Sequence, residues 1–493
     1  MSEKETQAAG AEVQTKESDD LLESMLRVGL RAKDDREADW GKQLLKDFVK
    51  SLLDPKMVVE KNTRKTIELR IKQIDELLSA QTNEIMHHPD FQKLEGSWRG
   101  LHYLVHKSET GTRLKIRVLN TSKRDLLEDL ENATEFDQSM LFQRVYEDEY
   151  GMLGGTPYGT LIGDYEFSNH PQDLALLERV AQVASAAHAP FISAASPEMF
   201  RMDSFTKIRD PRDLAKIFDT AEYATWKAFR MSEDSRYTAL TLPRVLARLP
   251  YGKKTRKVEA FDFEEEVDQH DKYAWMNSAW AYGARITAAF AKDGWLARIR
   301  GVEGGGMVEG LPTHTFKTID GEIAMKCPTE IGIPDRREKE FSDLGFIALC
   351  HAKNTNYAAF IGGQSVQSPK VYDVEAGTAN AELSTKINYI LCVSRFAHFL
   401  KAMARDKLGS FMERDECEAW LQRWINRYIL ANPKGASDQA KAERPLAAAK
   451  VEVREVAGKP GYYEAKCWLR PHFQLEGLTT SMSLVARLPP SKG

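Results

Sequence analysis

Apolar positions change their period several times along the chain, and each change predicts an element. Leu21, Leu22, Met25 and Leu26 recur at helical spacing, as do Trp40, Leu44, Leu45, Phe48, Val49 and Leu52, before Asp54-Pro55 closes the second stripe. Both stripes are too short to stay helical without something to dock on. Ile67, Ile71, Ile74, Leu77, Leu78 and Ile85 predict a longer helix over 62–87. Past His88-Pro89, steps of three and four link Phe91, Leu94, Trp98, Leu101 and Val105 into one continuous seam for helix packing. Period two begins at Leu114, Ile116 and Val118, which predicts a strand, and a helix follows around Leu126-Leu127.

The stretch GTLIGDYEF (159–167), the helical run from Pro171 to Ala187 and the following PFISAAS read as strand, helix, strand, a parallel crossover unit. Helices are expected at 211–230 and 272–293, loop over the Gly- and Pro-rich 301–335, and a hairpin from 346–353 and 357–363. Two strong helices are expected at 379–408 and 413–431. Residues 431–449 are small and polar with Pro and Gly, the composition of a linker. Beyond them VEVREV (451–456) and YYEAKCWLRPHF (462–473) flank the turn Gly458-Lys459-Pro460-Gly461, with Tyr463, Ala465, Cys467 and Leu469 sharing one face. A lone hairpin is marginal in water, so this one needs another sheet to complete it.

Composition narrows the class. The chain has 493 residues with 69 Lys+Arg against 73 Asp+Glu, net −4, which argues against a surface built as a phosphate footprint. Its length suggests two to four domains. The charge is uneven: residues 1–40 hold 6 basic and 11 acidic residues, net −5, and 441–493 hold 9 and 5, net +4. Such ends attract each other, within one molecule or between copies. Five scattered cysteines imply no disulfide framework and fit a reducing cytosol. Residues 1–20 carry no apolar export core, and the longest uncharged run, Val180 to Pro197, holds Gln182, His188 and Pro190, so no membrane insertion is expected.

Candidate chemistry is thin. Gly154 to Gly159 has phosphate-loop glycine spacing, but Thr160-Leu161 stands where Lys and Ser/Thr would hold phosphate and magnesium. His102 and His106 are four apart, yet Tyr103 replaces the Glu that a zinc protease sets beside its first His. Cys350 and His351 are neighbours on an expected strand and point to opposite faces, so they cannot share a proton. Cys392 and Cys417 read as small core residues, and His314 is the best remaining catalytic candidate, without a visible partner. The basic cluster Lys253–Lys257 lacks interleaved aromatics, so no nucleic-acid partner is expected. No catalytic, cofactor or metal site is assigned.

Long stretches resemble a known family. HPDFQKLEGSWRGLHYLV (88–105), GLPTHTF (310–316), CPTEI (327–331), DRREKEFSDLGFIAL (335–349), NAELSTKINYILCVSRFAHFLK (380–401), RDKLGSF (405–411), WLQRWINRY (420–428), VEVREVAGKPGYY (451–463) and LRPHFQLEGLT (469–479) are similar to the large subunit of the type VI secretion contractile sheath. The resemblance covers roughly residues 60–490. It implies an α/β (mixed α+β), phage-tail-sheath-like fold with discontinuous domains: a disordered acidic tail at 1–18, a helical partner-binding region at 19–60, a sheath core of 61–112 with 345–493, and an inserted α/β domain at 113–344. It implies a structural protein, not an enzyme, that pairs with a small sheath subunit, stacks as further copies of the heterodimer around an inner tube of ring proteins, meets a baseplate, and is recycled by an unfoldase ATPase. On this reading Leu22, Met25, Leu26, Leu44, Phe48 and Leu52 grip the small subunit. Val451, Val453, Tyr463, Ala465, Cys467 and Leu469 carry strand exchange between subunits, and Lys401 and Arg405 face the inner tube. The competing expectation is a cytosolic scaffold or adaptor that forms only small oligomers.

Overall fold

The computed structural model describes residues 35–52 and 63–474, apart from 211–212, 318–320, 411, 431, 434 and 460. Contacts divide the chain into two compact units: residues up to Ile85 with Tyr251–Glu265, and Met86–Pro250 with the chain from Glu266 onward.

The first unit holds helices α1 (Asp35–Leu52) and α2 (Thr63–Met86, whose last residue falls in the second unit). Trp40 and Leu44 on α1, two residues of the apolar stripe expected there, are exposed. Phe48 and Leu52 lie on the same helix; Leu22, Met25 and Leu26 lie outside the described residues. The segment 251–265 folds on itself through Glu265 N–H to Tyr251 O (2.9 Å) and a Lys253–Asp262 ion pair (2.6 Å), and Asn83 of α2 donates to Glu264 O (3.4 Å).

The second unit begins with α3 (Pro89–Lys107) and α4 (Lys123–Asn132), the latter started by a reciprocal cap between Ser122 and Asp125. A helix over Met140–Phe142 widens into a π-helical stretch at Gln143–Gly151. Then follow β1 (Leu161–Phe167), α5 (Pro171–Ala186), β2 (Phe191–Ala195), β3 (Thr238–Leu242), α6 (Ser278–Asp293), β4 (Met307–Val308), β5 (Phe346–His351), β6 (Ala358–Phe360), α7 (Ile387–Asp406), α8 (Arg414–Ile425), β7 (Leu446–Glu455) and β8 (Tyr463–Pro471).

One six-stranded sheet runs β1-β2-β3-β5-β6-β4. Its first four strands are parallel, the β1–α5–β2 crossover as expected, and β5–β6 is the expected antiparallel hairpin. Strand residues alternate between two cores, as the pleat requires of a sheet covered on both faces. Phe191, Leu240, Phe346 and Ala348 enter the core beneath α5, whereas Ile192, Ala239, Ile347 and Leu349 enter the one beneath α6. Because β5 pairs with β3, the domain division expected at 344–345 cuts through this sheet.

Several expectations are corrected by local hydrogen bonding. Leu114, Ile116 and Val118 lie in irregular chain that joins no sheet of the described residues. The helix expected at 211–230 is two short ones, Ala215–Phe218 and Ala224–Met231, because the Thr220 hydroxyl donates to Ile217 O (3.0 Å) and ends the first. The helix expected at 379–408 breaks at Thr385-Lys386, where Ile387 N–H donates to Gly363 O (2.7 Å). The helix expected from 272 starts at Ser278, since Trp275-Met276 pairs with Val245-Leu246. The loop expected at 301–335 contains β4 and a small hairpin, Thr315–Lys317 with Ile323–Met325. The seam of α3 is inverted: Gly96, Gly100 and Leu104 face inward while Phe91, Leu94 and Trp98 are exposed. Glycine permits this approach, as a Cβ at Gly100 would lie 2.1 Å from the Trp280 ring of α6.

Candidate subunit-contact site

A third core holds the C-terminal elements together. Trp295 just past the end of α6, Cys392 and Phe396 of α7, Leu421 and Ile425 of α8, and Leu446, Val451 and Val453 of β7 are all buried in it. The described residues of the linker expected at 431–449 are therefore structured. Ser437 caps a helix at Asp438–Glu443, Ala442 and Leu446 are buried, and Leu430 N–H donates to Leu446 O (3.0 Å). Its small, polar composition reads as solvent-seeking, but alanines also fit where packing leaves little room.

The hairpin β7–β8 is antiparallel, with Val451 opposite Cys467 and Val453 opposite Ala465. Gly458 (φ +77°) and Gly461 (φ +80°) take the left-handed conformations its turn needs. Its expected face forms in part: Cys467 and Leu469 pack on the third core, while Tyr463 and Ala465 stay exposed toward the tip. The base is anchored by Gln474, whose amide donates to Ala297 O (2.9 Å) and whose carbonyl accepts from Asn388 (2.9 Å) and Arg300 (3.1 Å).

The two edges of this hairpin differ. On β7, Val451 N–H donates to Gln422 Oε1 (2.9 Å) and Val453 N–H to Glu418 Oε2 (2.9 Å), while Gln422 Nε2 donates to Ala449 O (3.3 Å). Side chains of α8 thus occupy the outer edge of β7. Since the amides of 451 and 453 point away from β8, the pairs 451/467 and 453/465 are the non-hydrogen-bonded ones of the antiparallel ladder. The backbone groups of Tyr463, Ala465, Cys467 and Leu469 accordingly point outward from β8. Among the described residues no backbone partner outside the hairpin meets them. A sealed edge and an open edge make a surface that adds a strand on one side only.

Lys401 and Arg405 sit on α7 and are engaged within the chain. The Lys401 ammonium donates to the Tyr146 hydroxyl and lies over the Tyr146 (4.4 Å) and Tyr150 (4.0 Å) rings. Arg405 donates to the carbonyls of Tyr150 (3.3 Å) and Met152. Both cations therefore hold the π-helical stretch rather than forming a free basic stripe.

The chemical candidates are similarly committed. His106 Nδ1 lies 3.0 Å from His102 O, a turn of its own helix away, and the two rings stack. His314 Nδ1 meets the Tyr273 hydroxyl (2.9 Å), and burial pushes the Cys350 thiol up to about 12. A thiol–imidazole contact invisible in sequence joins Cys327 to His351: burial works to raise the thiol, but hydrogen bonds from His351 and Thr329 hold it below its ordinary value. Surface clefts of about 230 Å³ beside Phe200 and Asp210 and of about 220 Å³ beside Gln367 and Thr385 contain neither thiol. Among the described residues no group of three or more His, Cys, Asp or Glu could hold a metal ion, and no helix is long and apolar enough to cross a membrane.

Comparison with known proteins gives long matches. Residues 68–367 match the tail sheath N-terminal domain of the EvpB/VC_A0108 family, and 376–488 match its tail sheath gpW/gp25-like domain. The type VI secretion system sheath protein TssC1 of Pseudomonas aeruginosa is 50% identical over 496 residues, spanning 100% of both chains. Among solved structures, the anti-feeding prophage baseplate aligns with a TM-score of 0.34 at 9% identity, over 64% of this chain and 66% of that one. The contracted sheath complex of an extracellular contractile injection system (PVC) aligns at 0.33 and 8%, over 62% and 68%. At those scores the structural likenesses add nothing to the sequence matches.

Proposed function

The chain belongs to the type VI secretion sheath family, as its large subunit, and from that premise we propose that it holds its neighbours through the outer edge of β8. It is a subunit of a contractile sheath. The observation that carries the proposal is the asymmetry of the hairpin, whose β7 edge is filled by Gln422 and Glu418 while the groups of Tyr463, Ala465, Cys467 and Leu469 face outward.

At ~0.5–1.5 kcal/mol net per backbone bond, four to six bonds from a neighbour's strand supply roughly 2–9 kcal/mol per junction. Val451 and Val453 contribute differently: buried beneath β7, they fix the hairpin so that its free edge is presented ready-made. A head-to-tail contact of this kind does not close on itself and generates a helical polymer. The sequence holds no phosphate loop, so the stroke draws on energy stored in assembly, and the role is structural rather than enzymatic.

The small sheath subunit is the first partner. The exposed Trp40 (64%) and Leu44 (49%) on α1 support a docking helix there, together with Phe48 and Leu52 on the same helix and Leu22, Met25 and Leu26 before it. Further heterodimers, the inner-tube ring protein, the baseplate and a recycling unfoldase ATPase complete the partners, and the assembly is cytoplasmic. Lys401 and Arg405 are the least supported inner-tube contacts, being occupied within the chain. Coexpression with the small subunit and negative-stain electron microscopy tests the reading. Long hollow tubes are expected; particles no larger than a few subunits would instead establish the scaffold alternative.

A further inference from the structure

Residues 113–120 have the sequence of a strand, yet they form neither helix nor strand and have no sheet to belong to. Leu114, Ile116 and Val118 alternate with Arg113, Lys115 and Arg117, a pattern that fits a half-buried strand. Among the described residues, no backbone hydrogen bond reaches an N–H or C=O of residues 115–120; the nearest is Gly111 N–H to Leu114 O (2.9 Å). Val118 (67%) and Leu119 (61%) are exposed.

The segment is nevertheless held in place. Arg117 pairs with the mostly buried Glu149 carboxylate and stacks on Tyr158 (5.6 Å); Glu149 in turn accepts from Thr156 N–H (3.0 Å) and its hydroxyl (3.1 Å). The Tyr165 hydroxyl donates to Thr121 O (2.8 Å), and Ser122 begins α4 immediately afterwards. A segment of strand-like sequence fixed at its middle and far end, with unpaired backbone and exposed β-branched and apolar side chains, is a template for another strand. From Thr112 to Arg124 the chain carries Arg113, Lys115, Arg117, Lys123 and Arg124 and no acidic residue.

We propose that residues 113–120 form an open β-edge that pairs with an acidic, alternately apolar strand of the small sheath subunit. This rests on the sheath-pairing reading above and adds a second contact surface to it. A second copy of this chain fits less well. Its C-terminal stretch 441–493 is itself basic (9 against 5), its acidic residues 1–18 offer only scattered apolar side chains, and the following Leu21–Leu26 repeats at helical rather than strand spacing. The charge complement and the alternation must therefore come from a different polypeptide.

Amide hydrogen exchange on the purified, unpolymerised heterodimer tests this. No described residue bonds to the amides of 115–120, and the partner's strand would protect them: at least some are expected to exchange tenfold or more slowly than unstructured amides. Val118→Pro should reduce copurification of the small subunit at least tenfold relative to Val118→Thr, with the variant's thermal unfolding reporting that the fold survives. Intrinsic exchange rates at 115–120 in an intact heterodimer would overturn this inference alone. Protection that appears only after polymerisation would assign the edge to a second copy and overturn the choice of partner. If the two chains do not associate at all, the pairing reading falls and this inference falls with it.

Discussion

Proline at position 453 and proline at position 465 face each other across the same hairpin but should fail in different ways. Val453 is buried and its N–H donates to the Glu418 carboxylate at 2.9 Å. Removing that donor loses a bond to a charged group, about 1.5–3 kcal/mol, from within the subunit. At roughly 1 °C per kcal/mol for a folding unit of about 400 residues, Val453→Pro should lower the melting temperature of the heterodimer by about 2–4 °C. The Ala465 N–H points away from β7, so Ala465→Pro removes no bond among the described residues, the edge-strand setting in which proline is tolerated. Its melting temperature should stay within about 1 °C of the parent. In the polymer the order reverses: Ala465→Pro deletes a donor at the free edge and places a ring where the neighbour's strand must approach. Each junction loses about 0.5–1.5 kcal/mol directly, up to about tenfold in its association constant, and the loss recurs at every subunit. Differential scanning fluorimetry with negative-stain microscopy reads both effects. Long tubes from Ala465→Pro, or a melting loss equal to that of Val453→Pro, would refute the edge assignment.

Deleting residues 19–54 should at least strongly reduce copurification of the small subunit; undiminished recovery would move that contact elsewhere. His398 is buried, its Nε2 lies 2.9 Å from Ala187 O, and burial pulls its pKa down to about 4 from 6.5. The unfolded chain therefore takes up a proton that the folded one resists. The neutral form's contribution is complete above pH 6.5 and is lost as pH falls toward 4, on the order of 3 kcal/mol. Denaturant titrations at pH 7 and 4.5 should show this loss, and His398→Gln should flatten it; an unchanged pH slope would contradict the burial argument. Gly100→Ala drives a methyl into the Trp280 ring and should cost about 1–3 kcal/mol, read as a lower melting temperature.

Much of this architecture is legible from local patterns. The crossover from β1 through α5 to β2, the β5–β6 hairpin and the β7–β8 hairpin each follow from period and turn residues within a few dozen positions. What the sequence hid depends on distant partners. Leu114, Ile116 and Val118 have strand period, but period cannot say whether a neighbouring strand exists. Phe91, Leu94 and Trp98 read as the inner seam of α3, whereas on the opposite face Gly100 lets α6, and Gly96 the Trp275 backbone, approach more closely than a side chain would. Residues 431–449 look like a tether because alanine and serine carry no strong apolar signal, yet Ala442 and Leu446 are core. Which hairpin edge is open was invisible for the same reason: Gln422 and Glu418, on a helix more than twenty-five positions away, decide it.

A cryo-electron microscopy map of the assembled heterodimer tube at side-chain resolution tests the central claim most directly. The account predicts main-chain density about 4.8 Å from β8 on the side away from β7, contributed by another subunit and bonded to Tyr463, Ala465, Cys467 and Leu469. An empty β8 edge in a fully formed tube, with the neighbours joined elsewhere, would contradict it.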